Sequence, residues 1–306
     1  MVQENCVKNK AIIICGPTAS GKTALAVECA KLLNSAVISA DSMYIYKGLD
    51  IGTAKPFKEE MQGIKHYMID VASPNDCFSV SDYKSLAEPI LNSLFNGGKI
   101  PIICGGTGFY INSLLYDLSY GLGGANLEAR EKYFELAKQY GNEYVFKILK
   151  EKDEETAKKL HFNDIKRVIR ALEICENGLK KSDIVDNLVP KFSYNAYTIS
   201  HDRKILYGRI NDRVNVMINS GLIDEVQGLL DTGISRHAQC MQGIGYKEII
   251  DYIDNKISLE DAIELIKLNT RHYAKRQITF FKKMPNLVYL EPDSINKLAK
   301  RICDQL

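Results

Sequence analysis

Although the 306-residue chain contains eight cysteines (Cys6, Cys15, Cys29, Cys77, Cys104, Cys175, Cys240 and Cys303), it has no CxxC pair. That absence removes zinc knuckles and redox dithiols. Several of these cysteines sit inside apolar runs, where a free thiol packs as a small hydrophobe, as expected in a reducing compartment. Long hydrophobic runs are also missing. Ala11–Cys15 follows a polar start and is too short for a signal-peptide core or a membrane span, so a soluble, cytoplasmic protein without membrane partners is expected. Neither a DxxG switch element nor a guanine-reading NKxD occurs, which argues against a GTP switch. No internal repeat or low-complexity tract stands out.

What is present is ordinary globular composition, 45% hydrophobic and 25% charged, enough for a large domain with an insertion. The net charge of +2 hides an uneven distribution. Between Lys267 and Lys283 stand six bases (Lys267, Arg271, Lys275, Arg276, Lys282, Lys283) and no acid, a polyanion face or an ordinary solvated one. Leu265, Ile266, Tyr273, Ala274, Ile278 and Phe281 recur at helical spacing and would anchor that segment, leaving Arg271 and Lys275 to meet RNA phosphates.

The first third alternates apolar strands (Ala11–Cys15, Ala36–Ala40, Ile100–Cys104) with amphipathic helices (Thr23–Leu33, Ser81–Phe95). Crossovers of that length imply an α/β fold with a parallel sheet covered on both faces. Residues 118–190 change character. They are rich in Glu, Lys, Ala and Leu and read as helices over Asn126–Tyr140, Glu143–Lys150, Glu154–Leu160 and Asp164–Asn177. We read 1–117 as the first part of the core and 118–190 as a helical insertion domain that closes on RNA as a mobile clamp, hinged at Gly121, Gly123, Gly124 and Pro190. A strand at Ala196–Ser200 and long helices over 191–306 then return to the core.

Gly16-Pro17-Thr18-Ala19-Ser20-Gly21-Lys22-Thr23 matches GxxxxGK[ST] between an apolar strand and a helix, the context in which that pattern cradles phosphate. Glycines let backbone N–H groups face the anion, the helix N-terminus adds partial positive charge, Lys22 a full one, and Thr23 a hydroxyl for Mg²⁺. The bland reading is a glycine turn with a surface lysine. Asp41 ends the second strand beside this loop, where open α/β sheets bind ligands. It could hold a metal through water, act as a general base, or cap the following turn. Cys104-Gly105-Gly106-Thr107-Gly108 follows another strand and should bring Thr107 to the same crevice. In Asp164–Arg170, Lys166 and Arg170 stand four apart, a phosphate stripe or a solvated face.

Taken together, GPTASGKTALA (16–26), ISADSMYIYKGLDIGTAKP (38–56), GIKHYMIDV (63–71), PIICGGTGFYINSLLY (101–116), HFNDIKRVIRALE (161–173), RINDRVNVMINSGLIDEV (209–226), QGIGYKE (242–248) and TRHYAKRQITFF (270–281) closely resemble the bacterial tRNA dimethylallyltransferases. The resemblance implies a P-loop NTPase-like core with a helical insertion. It implies transfer of a dimethylallyl group from dimethylallyl diphosphate to N6 of the adenosine 3′ of the anticodon, tRNA position 37. Asp41 becomes the favoured general base, with Thr107 beside it. Gly16 to Thr23 with Arg209 and Arg213 would hold the diphosphate, and Mg²⁺ would sit on Thr23. The resemblance assigns tRNA contacts to Asp41, Ser42, Met43 and Tyr44, to Arg130, to Ile165, Lys166, Arg167, Val168 and Ile169, and to Gln242, Gly243, Ile244, Gly245, Tyr246 and Lys247. We expect a monomer that binds the anticodon stem-loop, with the donor's diphosphate, not ATP, in the loop. Three departures stand out: Tyr44 where many relatives have glutamine, Asn215 for a common aspartate, and Phe281-Lys282 in place of a Trp-containing ending. Tyr44 could stack on a base instead of hydrogen-bonding it. Two rivals remain: a P-loop small-molecule or nucleotide kinase, with Asp41 orienting an acceptor hydroxyl, and a non-enzymatic RNA-binding protein with a relic loop.

Overall fold

The computed structural model describes residues 9–119 and 126–306; Cys6 and the glycines expected at a hinge, Gly121, Gly123 and Gly124, lie outside them. By its internal contacts the chain divides into two compact units, Met1–Leu115 with Pro190–Leu306, and Tyr116–Val189.

The first unit is built on a six-stranded sheet in the order β3-β2-β4-β1-β5-β6, every neighbouring pair parallel. In chain order the strands are β1 (Lys10–Cys15), β2 (Val37–Ser39), β3 (His66–Tyr67), β4 (Ile102–Gly105), β5 (Ser193–Ile199) and β6 (Leu287–Leu290). The central strands are continuous apolar runs because helices cover both faces. Helices α1 (Lys22–Leu32) and α13 (Ile295–Cys303) lie against one face, where Leu25, Cys29, Leu298 and Ile302 join Ile12, Ile14 and Tyr197 in a buried cluster. The chain leaves β1 toward β2 on one side and later returns to pair β5 with β1 on the other. That reversal opens a crevice at the carboxyl end of β1, where the phosphate loop sits.

The other helices of this unit are the short α2 (Lys58–Met61), α3 (Val80–Asn96), α4 (Gly108–Leu115), α9 (Arg203–Asn219), α10 (Leu222–Asp231), α11 (Tyr246–Ile253) and α12 (Leu259–Phe281). Tyr83 on α3 stacks on Tyr110 of α4 with centroids 3.9 Å apart, and its hydroxyl donates to the Ser39 carbonyl at 2.9 Å. This buried prop fixes the end of β2, just before Asp41.

The second unit consists of α5 (Leu127–Tyr140), α6 (Asn142–Lys152), α7 (Glu154–Ala157) and α8 (Ile165–Glu176). Its own core contains Tyr133, Val145, Leu149, Val168, Ile169 and Leu172. Glu173, fully buried on α8, accepts from Arg130 at 2.9 Å, Arg170 at 2.7 Å and the Asn126 N–H at 2.8 Å. A buried carboxylate needs such partners, since an unpaired one would carry a desolvation cost of several kcal/mol.

The edge strands β3 and β6 escape a periodicity reading. β3 is two residues long; β6 does carry a signal, the Leu287-Val288-Tyr289-Leu290 run after Pro285-Asn286. Among the described residues no helix is long and apolar enough to cross a membrane. Cys15, Cys29, Cys104 and Cys240 are buried free thiols, whereas Cys77 is exposed.

Candidate active site

The phosphate loop leaves β1 at Gly16 and enters α1 at Lys22. Gly21 precedes the helix at φ 91° and, having no side chain, supplies no capping acceptor to the first N–H groups of α1. Ala19 also adopts a positive φ, 62°. For an alanine that conformation costs roughly 1–2 kcal/mol. Its methyl is buried against Leu206, Ile210 and Ala274, so packing of α9 and α12 holds the loop in that shape. Lys22 donates to the Pro17 carbonyl at 3.2 Å, folding back along the loop. Burial pushes its pKa down, partly countered by the Asp41 charge.

Asp41 lies two residues beyond the end of β2. One carboxylate oxygen accepts the Met43 N–H at 3.0 Å, so the residue does cap its own turn. It also lines a cleft of about 370 Å³ with Thr18, Ser42, Arg213, Thr270 and Tyr273. Burial lifts its pKa above the ordinary carboxylate range, held back by the Met43 N–H and the Lys22 charge. The Thr107 hydroxyl accepts the Ser42 N–H at 3.0 Å, and the Thr107 N–H donates to the Ala40 carbonyl at 3.0 Å. Thr107 therefore clamps the turn that carries Asp41. The glycines before it are steric necessities: a Cβ on Gly105 would lie 2.1 Å from the Ala40 carbonyl oxygen.

From α9, Arg213 reaches the Thr18 hydroxyl at 3.4 Å, and an Arg209 guanidinium nitrogen lies 3.8 Å from where a Cβ on Gly21 would stand. Both arginines thus flank the phosphate loop. The far rim of the cleft is formed by Met43, Gly52, Thr53, Gln242, Gly243, Ile244 and Lys247. Glu225 on α10 holds that rim: its carboxylate accepts the N–H groups of Asp50, Ile51 and Gly52 at 2.9, 2.7 and 3.0 Å and the Tyr246 hydroxyl at 2.6 Å. Gln277 on α12 was not singled out by its sequence context, yet it bridges two loops. Its side-chain oxygen accepts the Thr18 N–H at 2.9 Å, and its nitrogen donates to the Gly106 carbonyl at 3.0 Å.

Several sequence assignments change in the structure. Val168 and Ile169 are core residues of the second unit, and Ile165 packs against that core, so these side chains hold α8 and cannot face RNA; Lys166 and Arg167 are the exposed members of the segment. Arg130 and Arg170 serve the buried Glu173. Gly245 and Tyr246 are buried, and Tyr246 supports the rim from behind. Tyr44 donates its hydroxyl to the Ala54 carbonyl at 2.7 Å and is pinned, not free to stack. On α12, Ile266, Ala274 and Phe281 are buried as the periodicity requires, but Leu265 is exposed. Arg271 is not free: it donates to Asn211 of α9 at 2.7 Å. Lys275 remains exposed.

Among the described residues no group of three His, Cys, Asp or Glu could hold a metal. The Thr23 hydroxyl with phosphate oxygens and water is a donor set that suits Mg²⁺, which keeps several waters and favours substrate phosphates.

A parallel sheet with a phosphate loop at its switch point, two arginines flanking that loop and a half-buried carboxylate in the adjoining cleft define a P-loop-type fold. The IPP transferase family model matches residues 44–284. A tRNA dimethylallyltransferase of Acetivibrio thermocellus is 45% identical over 295 residues, covering 95% of this chain and 94% of the relative. Its Bacillus cereus counterpart is 46% identical, covering 93% and 90%. The crystal structure of the full-length tRNA isopentenylpyrophosphate transferase of Bacillus halodurans superposes with a TM-score of 0.73 at 38% identity, covering 97% of each chain. A eukaryotic dimethylallyltransferase solved acting on tRNA gives 0.80 at 26% identity, covering 97% of this chain and 77% of that one. The chain belongs to the IPP transferase family.

Proposed function

We propose that this protein transfers the dimethylallyl group of dimethylallyl diphosphate to N6 of the adenosine 3′ of the anticodon, tRNA position 37, releasing diphosphate. The observation that carries the reading is Asp41. It is a carboxylate lifted by burial, set in one cleft with Thr18 of the phosphate loop and Arg213. Adenine N6 is a poor nucleophile because its lone pair is delocalised, so it must be unstacked and held against the allylic carbon. As the N6–C bond forms, the allylic C–O bond breaks and its electron pair leaves with the diphosphate. N6 becomes acidic in that step, and its proton passes to Asp41. Lys22, the N–H groups at the start of α1, Arg209 and Arg213 stand ready for the charge that gathers on the leaving group. Thr107 keeps Asp41 in place by fixing Ser42. Mg²⁺ bound at Thr23 would supply further positive charge to the diphosphate. Lys166 and Arg167 of the second unit and the Gln242–Ile244 rim with Lys247 are the surfaces we assign to tRNA.

The test is to incubate the protein with labelled dimethylallyl diphosphate or labelled ATP, with and without tRNA. Transfer of the prenyl label to tRNA is expected. Transfer of phosphate from ATP would favour a kinase, and no transfer would leave a binding protein.

A further inference from the structure

We propose that Gln277 is a positioning residue that sets the phosphate loop in register with the turn bearing Asp41. Its side chain is 4% exposed, and each end of its amide is committed to backbone: Thr18 N–H on one side, Gly106 carbonyl on the other. Gly106 immediately precedes Thr107, so the Gln277 amide holds the loop that carries Thr107. Thr107 holds the Ser42 N–H, so one unbroken chain of contacts runs from Thr18 to the residue beside Asp41. The fit is tight: a Cβ on Gly106 would lie 2.0 Å from the Gln277 amide nitrogen. A glutamine amide offers one acceptor and one donor in a single plane at that reach at every pH. Through it, α12 fixes how far the diphosphate cradle stands from the base. Gln277 touches no reacting atom, and its effect passes through the two loops.

This inference rests on the phosphate loop binding diphosphate, part of the function proposed above. Two variants separate the hydrogen bonds from mere packing. Gln277→Met keeps length and volume but neither bond. Gln277→Glu keeps the acceptor when ionised and regains the donor only when protonated, because a carboxylic acid can accept from Thr18 and donate to Gly106 as the amide does. The titratable or charged groups that line the cleft with Gln277 are Asp41, Arg213, Lys247, Tyr273 and Arg276, and Lys22 acts electrostatically with Asp41 and Arg213. All are common to wild type and variant, so the ratio of their affinities removes them to first order.

The probe is inorganic pyrophosphate, titrated calorimetrically against the full-length protein from acid to alkaline pH. Gln277→Met should bind it about tenfold more weakly than wild type at every pH, from two buried backbone groups left unpaired. Gln277→Glu should match wild type at the acid end and fall about tenfold behind as its carboxyl ionises. Equal affinity of wild type and Gln277→Met, or a Gln277→Glu deficit that does not vary with pH, would overturn the proposal. If Gln277→Met does not fold, Gln277→Leu, which removes both hydrogen bonds without adding a charge, takes its place, because ionised Gln277→Glu also repels the anion. Wild-type protein that binds pyrophosphate but never moves the prenyl label would sink the proposed reaction while leaving Gln277 its role.

Discussion

A carboxylate that accepts a proton from a weakly basic nitrogen works better when burial has raised its pKa, and Asp41 shows how that advantage is bought with stability. Its folded pKa lies above the ordinary value, so the folded state keeps the proton to higher pH than the unfolded chain does. Ionised Asp41 therefore disfavours folding above the ordinary aspartate range, and the penalty fades as pH falls toward that range. Asp41→Asn removes the charge but keeps an acceptor for the Met43 N–H. It should lower turnover by about 10²–10⁴, the range of a lost general base. It should also melt at a higher temperature than wild type near neutral pH, with the gap closing toward acid; a lower melting point at neutral pH would contradict the burial argument. At this scale the sequence exposes what is local. The phosphate loop and Asp41 are readable because their chemistry depends on neighbours a few positions away. Gln277 is not, because its partner Thr18 lies 259 positions distant. Tyr246 and Val168 misled for the opposite reason. Each sits inside a motif shared with surface residues, and only packing shows which members face inward.

At the scale of elements, the cleft depends on helices that hold loops by their backbones. Glu225 of α10 satisfies three successive N–H groups of the Asp50–Gly52 segment. Charge-assisted bonds of this kind are about twice as strong as neutral ones. Glu225→Ala should release the Gly52-Thr53 rim, lowering stability by roughly 1–3 kcal/mol and weakening tRNA binding while leaving pyrophosphate affinity unchanged. Parallel losses for both ligands would mean that the loop supports the whole site instead. The basic helix α12 divides similarly. Exposed Lys275 is available to phosphate, so Lys275→Ala should reduce the slope of log affinity against log salt by about 0.7–0.9, one contact's worth, equally for cognate and non-cognate tRNA. Arg271 is tied to Asn211, which lies between Arg209 and Arg213 on α9. Arg271→Ala should therefore weaken pyrophosphate binding as well, an effect Lys275→Ala lacks; identical behaviour of the two variants would return both to a solvated basic face. The alternation of strand and helix was legible because apolar runs and crossover lengths are local properties. The two-residue β3 was not, since a bridge that short is created by its neighbour β2.

The division into two units, each with a buried cluster of its own, determines how ligand binding should be felt across the molecule. A ligand stabilises the native state by an amount set by its concentration relative to Kd, about 2.7 kcal/mol at a hundredfold excess, and protects the segments that must open for it to leave. Pyrophosphate with Mg²⁺ should therefore slow amide exchange over 10–32, where β1, the phosphate loop and α1 lie, and over 102–107. Exchange over 127–176, the helices of the second unit, should stay as in the free protein. Lys22→Ala should abolish the protection because the loop loses its full positive charge, and EDTA should diminish it by removing the cation that Thr23 and the phosphate oxygens would share. Added tRNA makes the contrasting case. With Lys166 and Arg167 exposed on α8, it should slow exchange in the second unit whether or not pyrophosphate is present. Protection by pyrophosphate spreading equally over both units would mean that they open together, and the assignment of donor to one unit and acceptor contacts to both would lose its basis.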